Sequence, residues 1–279
     1  MEGLRFERVE AKRPDLRFPL PADFAARLTG ARVDTLGRRG KYLMARLGDG
    51  ALLIMHLGMS GRFVVEAPGA AHKRPGAFHL DPGANAHAMH EHIVFHMSGG
   101  HVVRYSDPRR FGFMAIEETG DAAANAFLRR LGPEPLEGAF TADVLAATLA
   151  GKTAAVKAAL LDQAVVAGLG NIYVCEALFG AGISPKRRAA TLVTRAGTPT
   201  QRLRKLVDAI KEVLHAAIDA GGSSLRDHAQ ADGSLGYFQH RFRVYDREGA
   251  PCPRPGCGGT IRRVVQSGRS TFYCGKCQR

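Results

Sequence analysis

Short runs that alternate apolar and polar residues fill the first third of the chain and predict β-strands. Leu4 and Phe6 alternate with charged neighbours. Further β-type runs cover residues 31–36, 42–47, 51–57, 93–97 and 101–105. Gly48-Asp49-Gly50 and Ser98-Gly99-Gly100 each separate two of these runs, and such turns join antiparallel strands. The pattern predicts an antiparallel β-sandwich or barrel.

The hydrophobic period then changes to that of an α-helix. Between residues 203 and 218, apolar residues recur at three- and four-residue steps, which is typical of an amphipathic helix. Thr198-Pro199 precedes this segment and Gly221-Gly222 follows it, as expected for the start and end of a helix. Weaker helical stretches cover residues 141–149, 154–163 and 172–179. We therefore expect a helical module over residues 138–222, followed by a polar connector over 223–242.

Residues 66–89 are rich in Gly, Ala, Pro and His and show no hydrophobic period. This composition predicts a long surface loop. Its histidines are irregularly spaced with no thiol nearby, so a loop is favoured over a metal site.

Composition and charge narrow the class of partner. The chain has 279 residues, 39 Lys and Arg against 26 Asp and Glu, and a formal net charge of +13. Such an excess favours a polyanionic partner, nucleic acid before a membrane surface. The N-terminus has no apolar core of a signal peptide, and no apolar run approaches the ~20 residues of a membrane span. We expect a cytoplasmic protein with no membrane partner.

The most specific motif is Cys252-x4-Cys257-x16-Cys274-x2-Cys277. Two closely spaced thiol pairs predict one tetrahedral Zn²⁺ site, which is favoured over two disulfides or a chance cluster. The surrounding cations predict a β-hairpin finger that faces phosphate; they are Arg262, Arg263, Arg269, Lys276 and Arg279. The fifth cysteine, Cys175, lies in an apolar helical stretch and is interpreted as a buried structural thiol rather than a nucleophile.

Three glycine-containing turns carry further candidate chemistry. Gly168-Leu169-Gly170 opens a helix whose amides could hold a phosphate together with Asn171, although such a turn also serves tight helix packing. HLGMSG (56–61) and DPRRFG (107–112) each place a bulky side chain beside a turn. Taken alone, each of Met59 and Phe111 would be predicted to pack in the core. In a basic protein, however, an apolar wedge with a guanidinium can fill the gap left by a flipped base.

Seven motifs follow one another along the chain. They are GRRGKYL (37–43), HLGMSG (56–61), YSDPRRFG (105–112), LGPEPL (131–136), GLGNIYVCEALF (168–179), DGSLGYF (232–238) and the four-cysteine finger. Together they resemble the formamidopyrimidine-DNA glycosylase and endonuclease VIII family, and most closely its bacterial formamidopyrimidine-DNA glycosylase branch.

The resemblance implies base-excision repair of damaged double-stranded DNA, in which 8-oxoguanine and formamidopyrimidines are removed and the abasic strand is cleaved by β,δ-elimination. It implies a multi-domain α+β protein with one structural Zn²⁺ and no nucleotide cofactor, expected to be a monomer. The expected domains are a β-sandwich over residues 1–125, a helix-two-turn-helix domain with its connector over 126–242, and a zinc-finger β-hairpin over 243–279.

The resemblance also implies residue roles. Lys41 matches a lysine near the lesion that donates a proton in β-elimination, and Arg269 matches the finger arginine assigned to lesion phosphates and δ-elimination. Met59, Arg109 and Phe111 match the residues that intercalate, with Arg109 also facing the orphaned cytosine. The positions that match phosphate contacts are His90, Lys152, Lys157 and Asn171. Residues 221–237 resemble the loop that closes over the flipped purine.

The chain departs from the family at its start. Family members begin with Pro-Glu, and the proline amine attacks the sugar C1′, whereas this sequence opens Met1-Glu2-Gly3-Leu4. We expect that the natural protein starts upstream and carries the family's first helix. The alternative is a short chain that binds DNA without cleaving it.

Two rival functions remain open. An endonuclease VIII-like enzyme would prefer oxidised pyrimidines, although HLGMSG together with DPRRFG favours the purine branch. A non-catalytic zinc-ribbon protein would bind DNA without recognising lesions.

Overall fold

The computed structural model describes residues 1–68, 90–223 and 236–279. They form two compact units, one of residues 1–129 with Ser223 and Gly236, the other of residues 130–222 and 237–279. Most of the predicted 66–89 loop, and the middle of the segment matched to the purine-covering loop, lie outside the described residues.

The first unit is an antiparallel β-sandwich, as expected. Its elements are β1 (Phe6–Ala11), α1 (Phe24–Leu28), β2 (Val33–Arg39), β3 (Tyr42–Leu47), β4 (Leu52–His56), β5 (Arg62–Glu66), β6 (Glu91–Met97), β7 (His101–Ser106) and β8 (Phe113–Glu117). The strand orders are β1-β6-β7-β5 and β2-β3-β4-β8. Both sheets contribute to one core, in which Phe6 and Phe95 of one sheet pack with Leu53 and Met55 of the other.

The predicted hairpins are confirmed. Strands β3 and β4 pair in register through the turn at Gly48-Asp49-Gly50, and β6 pairs with β7 around Gly99. The sequence patterns did not predict α1, β5 or β8. Helix α1 has only five residues, too few to show a helical period, and β8 (FMAIE) does not alternate cleanly between apolar and polar residues.

The second unit holds four α-helices and a β-hairpin. They are α2 (Ala142–Leu149), α3 (Val156–Leu161), α4 (Asn171–Ala181), α5 (Gln201–Asp219), β9 (Ile261–Gln266) and β10 (Arg269–Cys274). Short 3-10 turns occupy Ser98–Gly100 in the first unit, and Ala189–Leu192 and Phe238–Arg241 in the second. The helices predicted from sequence are confirmed to within two residues at either end.

Local chemistry explains where the helices begin and end. The Thr141 hydroxyl accepts a hydrogen bond from the Val144 amide at the start of α2, and Thr200 caps α5 in the same way. Gly182 ends α4 with φ 69, a conformation that glycine adopts without strain. Leu203, Leu206 and Ile210 of α5 are fully buried in the helical core.

The finger and the helices share a second small core. It contains Cys175 and Phe179 of α4, Val244, and Phe272 of β10. The Gln278 side chain donates to the Ile183 carbonyl (2.9 Å) and accepts from the Cys274 amide (2.7 Å). Cys175 is 1% exposed, which confirms it as a buried thiol, and burial raises its pKa.

Within the three described ranges, no helix has the length and apolar character required to cross a bilayer.

Candidate nucleic-acid interface and metal centre

The four finger cysteines converge on one point. Their Sγ atoms all lie within 4.8 Å of one another, with 3.8 Å between Cys252 and Cys277 and 3.7 Å between Cys257 and Cys274. A tetrahedron with Zn–S distances of ~2.3 Å has edges of roughly 3.8 Å, whereas a disulfide joins its sulfurs at ~2.05 Å. The spacing therefore fits one structural Zn²⁺.

A glycine makes room for this centre. A Cβ on Gly259 would lie 2.8 Å from Cys274 Sγ and 3.3 Å from Cys257 Sγ. Any side chain at residue 259 would therefore displace two of the four ligands. This close approach explains why the chain turns at glycine between the two cysteine pairs.

A buried carboxylate joins α4 to the segment that enters the finger. Glu176 is 1% exposed, and its carboxylate oxygens accept from the backbone amides of Arg243 (3.0 Å), Val244 (3.0 Å) and Tyr245 (2.8 Å). Three backbone donors and the Arg243 guanidinium, 3.5 Å away, satisfy this charge. The backbone of Tyr245 is thereby fixed against the helix.

Several polar side chains meet at the first residues of β10. The Ser270 carbonyl accepts from Asn171 Nδ2 (3.0 Å) and from Lys157 Nζ (3.2 Å), and Lys157 Nζ also donates to Thr271 Oγ1 (2.7 Å). The Tyr245 hydroxyl lies 3.4 Å from Asn171 Nδ2. Arg269, next to Ser270, is exposed. We call Lys157, Asn171, Tyr245 and Arg269 the hairpin cluster.

Lys157 departs from its expected placement. It was matched to a phosphate contact, but its side chain is 0% exposed and its ammonium faces the hairpin. Burial lowers the pKa of Lys157; the nearby Arg269 also lowers it, and Cys175 opposes this. Lys152 is half-buried in the turn between α2 and α3, where its backbone carbonyl accepts from Ala190.

Asn171 has one side-chain acceptor that no described residue satisfies. It is the first residue of α4, and its Oδ1 is buried without a hydrogen-bond partner among the described residues. An unpaired buried oxygen is costly. A donor supplied from outside the chain, such as a water molecule, would relieve that cost.

In the first unit, Asp107 organises the DPRRFG turn. Its carboxylate is fully buried and accepts from the Ser60 hydroxyl (2.6 Å), the Gly112 amide (2.8 Å) and the Tyr105 hydroxyl (3.1 Å). Ser60 Oγ in turn accepts from the Arg109 amide at 3.2 Å. Burial raises the pKa of Tyr105, and the neighbouring Asp107 raises it further. These bonds tie HLGMSG to DPRRFG.

The two turns carry exposed apolar side chains. Met59 is 63% exposed and Phe111 is 41% exposed, which excludes core packing for both. The Arg109 guanidinium lies 4.7 Å from the centre of the Phe111 ring. A Cβ on Gly58 would collide with the Phe111 backbone and lie 2.5 Å from the Gly112 amide nitrogen, so the turns abut directly. We call Met59, Arg109 and Phe111 the wedge.

Lys41 precedes both turns in the sequence, and His90 lies between them. Lys41 is exposed in the turn directly before β3, where Gly40 (φ 57) allows the tight connection from β2. The ring of its neighbour Tyr42 packs against His56, with 5.0 Å between ring centres and 45° between the ring planes. His90 is half-buried, and its carbonyl accepts from the Asp107 amide at 3.0 Å.

The sequence patterns missed the residues that hold these side chains in place: Asp107, Glu176, Tyr245 and His56. Asp107 belongs to the DPRRFG motif, but nothing in the sequence indicated that its carboxylate would be buried. Glu176 sits in an apolar helical stretch, where a lone acid is a recognisable sign of a buried, hydrogen-bonded group.

Three family models match consecutive parts of the chain. The formamidopyrimidine-DNA glycosylase N-terminal domain matches residues 1–114, the formamidopyrimidine-DNA glycosylase H2TH domain matches residues 131–229, and the zinc finger found in FPG and IleRS matches residues 249–279. Together they account for most of both units.

Similar proteins support the same family. Formamidopyrimidine-DNA glycosylases of Rhodopseudomonas palustris (strain BisB18) and Beijerinckia indica are 60% and 57% identical over all of this chain and 94% of their own length. A Lactococcus lactis FPG variant in complex with Fapy-dG DNA has a TM-score of 0.81 at 31% identity, with 100% of this chain and 93% of that one covered. The MutM (FPG) protein of Thermus thermophilus has a TM-score of 0.79 at 36% identity, with 100% of this chain and 92% of that one covered. The chain belongs to the formamidopyrimidine-DNA glycosylase family.

Proposed function

We propose that this protein is a DNA glycosylase and abasic-site lyase that removes oxidised purines from duplex DNA. The observation that carries the proposal is the wedge: two exposed apolar side chains and a guanidinium on abutting turns that a buried Asp107 holds together. Leaving Met59 and Phe111 exposed to water costs free energy and does nothing to stabilise the fold. Filling the space left by a flipped base gives that exposure a purpose.

The proposed reaction assigns a task to each part. The wedge enters the duplex, Arg109 leaves Phe111 and donates to the base opposite the lesion, and the damaged nucleotide turns outward. Lys41 donates a proton during β-elimination, and Arg269 holds the lesion phosphates and serves δ-elimination. His90, Lys152 and Asn171 bind the DNA backbone, and Tyr245 adds a hydroxyl beside Asn171.

Lys157 receives a different task. Because its ammonium is buried against Ser270 and Thr271, we assign it to holding the hairpin at α3 rather than to direct phosphate contact. The Zn²⁺ ion supplies no chemistry to DNA in this scheme; four thiolates around it keep the hairpin folded. We further propose that the protein acts as a monomer on nucleoid DNA, and that residues 1–125, 126–242 and 243–279 are its functional domains.

The amine that attacks the sugar can be identified directly. The resemblance gives the attack on C1′ to an N-terminal proline amine, and this sequence opens with Met1-Glu2. Borohydride trapping on a duplex with 8-oxoguanine opposite cytosine, followed by peptide mapping, identifies the amine that reacts.

The same duplex tests the function. We expect strand cleavage at 8-oxoguanine that leaves phosphate at both new ends, faster than cleavage at thymine glycol. A preference for thymine glycol would favour the endonuclease VIII-like alternative. Tight binding without lesion preference, unchanged when Met59 and Phe111 are both replaced by alanine, would favour the non-catalytic zinc-ribbon alternative. Arg269→Ala, with Arg263→Ala on the neighbouring strand as control, separates phosphate capture at the lesion from general charge.

A further inference from the structure

One carbonyl closes the DPRRFG turn. The Asp107 carbonyl accepts from the Arg110 amide at 3.1 Å, which closes a four-residue β-turn with Pro108 in second place. Arg109 is the third residue of this turn, and Phe111 follows the turn directly. Arg110 has φ 55, a left-handed conformation that is unfavourable for residues with a side chain. Two of the three wedge residues are therefore presented by a strained turn, and such strain persists only where the surroundings enforce it.

A buried histidine of β6 binds the same carbonyl. His92 is 6% exposed, and its Nε2 lies 2.9 Å from the Asp107 carbonyl oxygen. A carbonyl oxygen can only accept, so Nε2 must carry the proton in this contact. The two lone pairs of the oxygen then serve the Arg110 amide and the His92 ring. The Asp107 amide donates to the His90 carbonyl at 3.0 Å, so residues 90 and 92 together hold both backbone polar groups of Asp107.

Strand β6 is irregular at the residue that makes this contact. Its register with β7 shifts by one residue between Glu91 and Ile93, which places His92 at a β-bulge. Bulges re-aim a side chain and occur often beside active sites. The His92 carbonyl still accepts from the Lys12 amide at 2.9 Å, so the strand stays bonded to the segment after β1. The bulge thus directs the imidazole at the DPRRFG turn while the backbone around it remains fixed.

We propose that His92 is a positioning residue for the wedge: its Nε2–H anchors the Asp107 carbonyl and thereby fixes how the turn presents Arg109 and Phe111. This role rests on the proposed function and deepens it. The Asp107 carboxylate ties the turn to HLGMSG, and His92 ties it to β6, so the turn is held from two sides. Without the His92 bond, Arg110 can relax from its strained conformation and redirect the residues on either side. Pairing of Arg109 with the base opposite the lesion should therefore depend on His92.

Two substitutions separate the hydrogen bond from the volume of the ring. His92→Gln keeps an N–H donor, because the glutamine Nε2 has nearly the reach of the imidazole Nε2. His92→Met fills a similar space and has no donor. His96→Met, at a histidine of the same strand that pairs with Glu10, is the matched control for losing an imidazole.

The readout is discrimination by the opposite base. It is the ratio of single-turnover excision rates for 8-oxoguanine opposite cytosine and opposite adenine, measured at fixed salt. We expect His92→Met to lower this ratio roughly three- to tenfold, the effect of one lost hydrogen bond. His92→Gln and His96→Met should stay within about twofold of the unsubstituted protein, inside that loss. A general loss of stability slows both rates alike and leaves the ratio unchanged, so the ratio separates positioning of Arg109 from a merely structural role.

An unchanged ratio in His92→Met, or equal losses in the Met and Gln variants, would overturn the proposal. Nitrogen-15 NMR of the unsubstituted protein provides a second test that requires no DNA. It should show His92 Nε2 protonated, with a proton that exchanges slowly with water. An unprotonated Nε2 at pH 7 would reject the inference even if the variants fail to fold. If the unsubstituted protein excises no lesion, the proposed function fails, while the NMR result still decides whether His92 anchors the turn.

Discussion

The ammonium of Lys157 and the hydroxyl of Thr271 lie 2.7 Å apart in the folded chain, although 114 residues separate them in sequence. The contact joins helix α3 to the first residues of β10, next to Arg269. Lys157 was expected at the DNA surface, but its side chain is buried in the second unit and connects α3 to β10. Its charge is stabilised by the Ser270 carbonyl and the Thr271 hydroxyl.

Replacing Lys157 should destabilise the attachment of the finger without loss of its zinc ion. Lys157→Met keeps most of the side-chain volume but removes both hydrogen bonds, so we expect the free energy of unfolding to fall by about 1–3 kcal/mol. Zinc content should stay at one ion per chain, and cleavage of lesion DNA should slow because Arg269 loses its support. Denaturant titration and zinc analysis measure this. Lys152→Met is the comparison, and equal stability losses in both variants would contradict the assignment.

Asp107 should matter more for the wedge than for general DNA binding. Asp107→Asn turns one acceptor oxygen toward a donor and leaves part of the set from Ser60, Tyr105 and Gly112 unpaired. We expect a loss of about 2–4 kcal/mol in stability, since these bonds are charge-assisted and buried. Excision of 8-oxoguanine should fall further than affinity for undamaged duplex. Asp121→Asn, at a carboxylate that accepts one amide in a surface turn, should change neither.

Tyr245 should contribute binding energy through its hydroxyl alone. Tyr245→Phe keeps the ring against Phe272, with centres 5.0 Å apart, and removes the group beside Asn171. We expect affinity for DNA with an abasic analogue to drop roughly five- to tenfold, as for one lost hydrogen bond. The melting temperature should not change. Unchanged affinity at low and moderate salt would remove Tyr245 from the proposed interface.

The pKa of His56 predicts a specific dependence of stability on pH. The folded pKa lies below the ordinary 6.5, so between the two values the unfolded chain binds a proton that the folded chain does not. Stability should therefore decrease as the pH falls below 6.5 and level off beneath the folded pKa. His56→Asn should lack this contribution. Denaturant titrations of both proteins between pH 5 and 8 isolate it, because all other groups cancel in the difference.

Removing zinc should affect the finger and the helices of the second unit unequally. A strong chelator should unfold the hairpin, since no other covalent or metal link joins Cys252, Cys257, Cys274 and Cys277. Helices α2 to α5 should persist, because the larger helical core does not include the finger. Lesion-DNA binding should disappear and return when Zn²⁺ is added. Circular dichroism with a thiol count tests this, and fewer than four newly reactive finger thiols would contradict the four-ligand site.

Local sequence patterns predicted most of the strands and helices. The strand pairs around Gly48-Asp49-Gly50 and Ser98-Gly99-Gly100 were visible because turn chemistry and two-residue alternation act within a few residues. The long helix α5 was visible because its apolar residues repeat over five turns. Five-residue elements such as α1 and β8 were missed, because so short a segment takes its structure from the surface it packs on.

The sequence was enough to recognise the zinc ligands, the strongly basic character, the main hairpins and helices, and the motifs of the family. Each depends on residue type and spacing along the chain. The fold was needed to show that Lys157 is buried and that Met59 and Phe111 are exposed on abutting turns. It was also needed to show that Asp107 ties those turns together and that Glu176 fixes the segment entering the finger. Burial and hydrogen-bond partners are set by contacts between distant segments, and such contacts leave no periodic trace in the sequence.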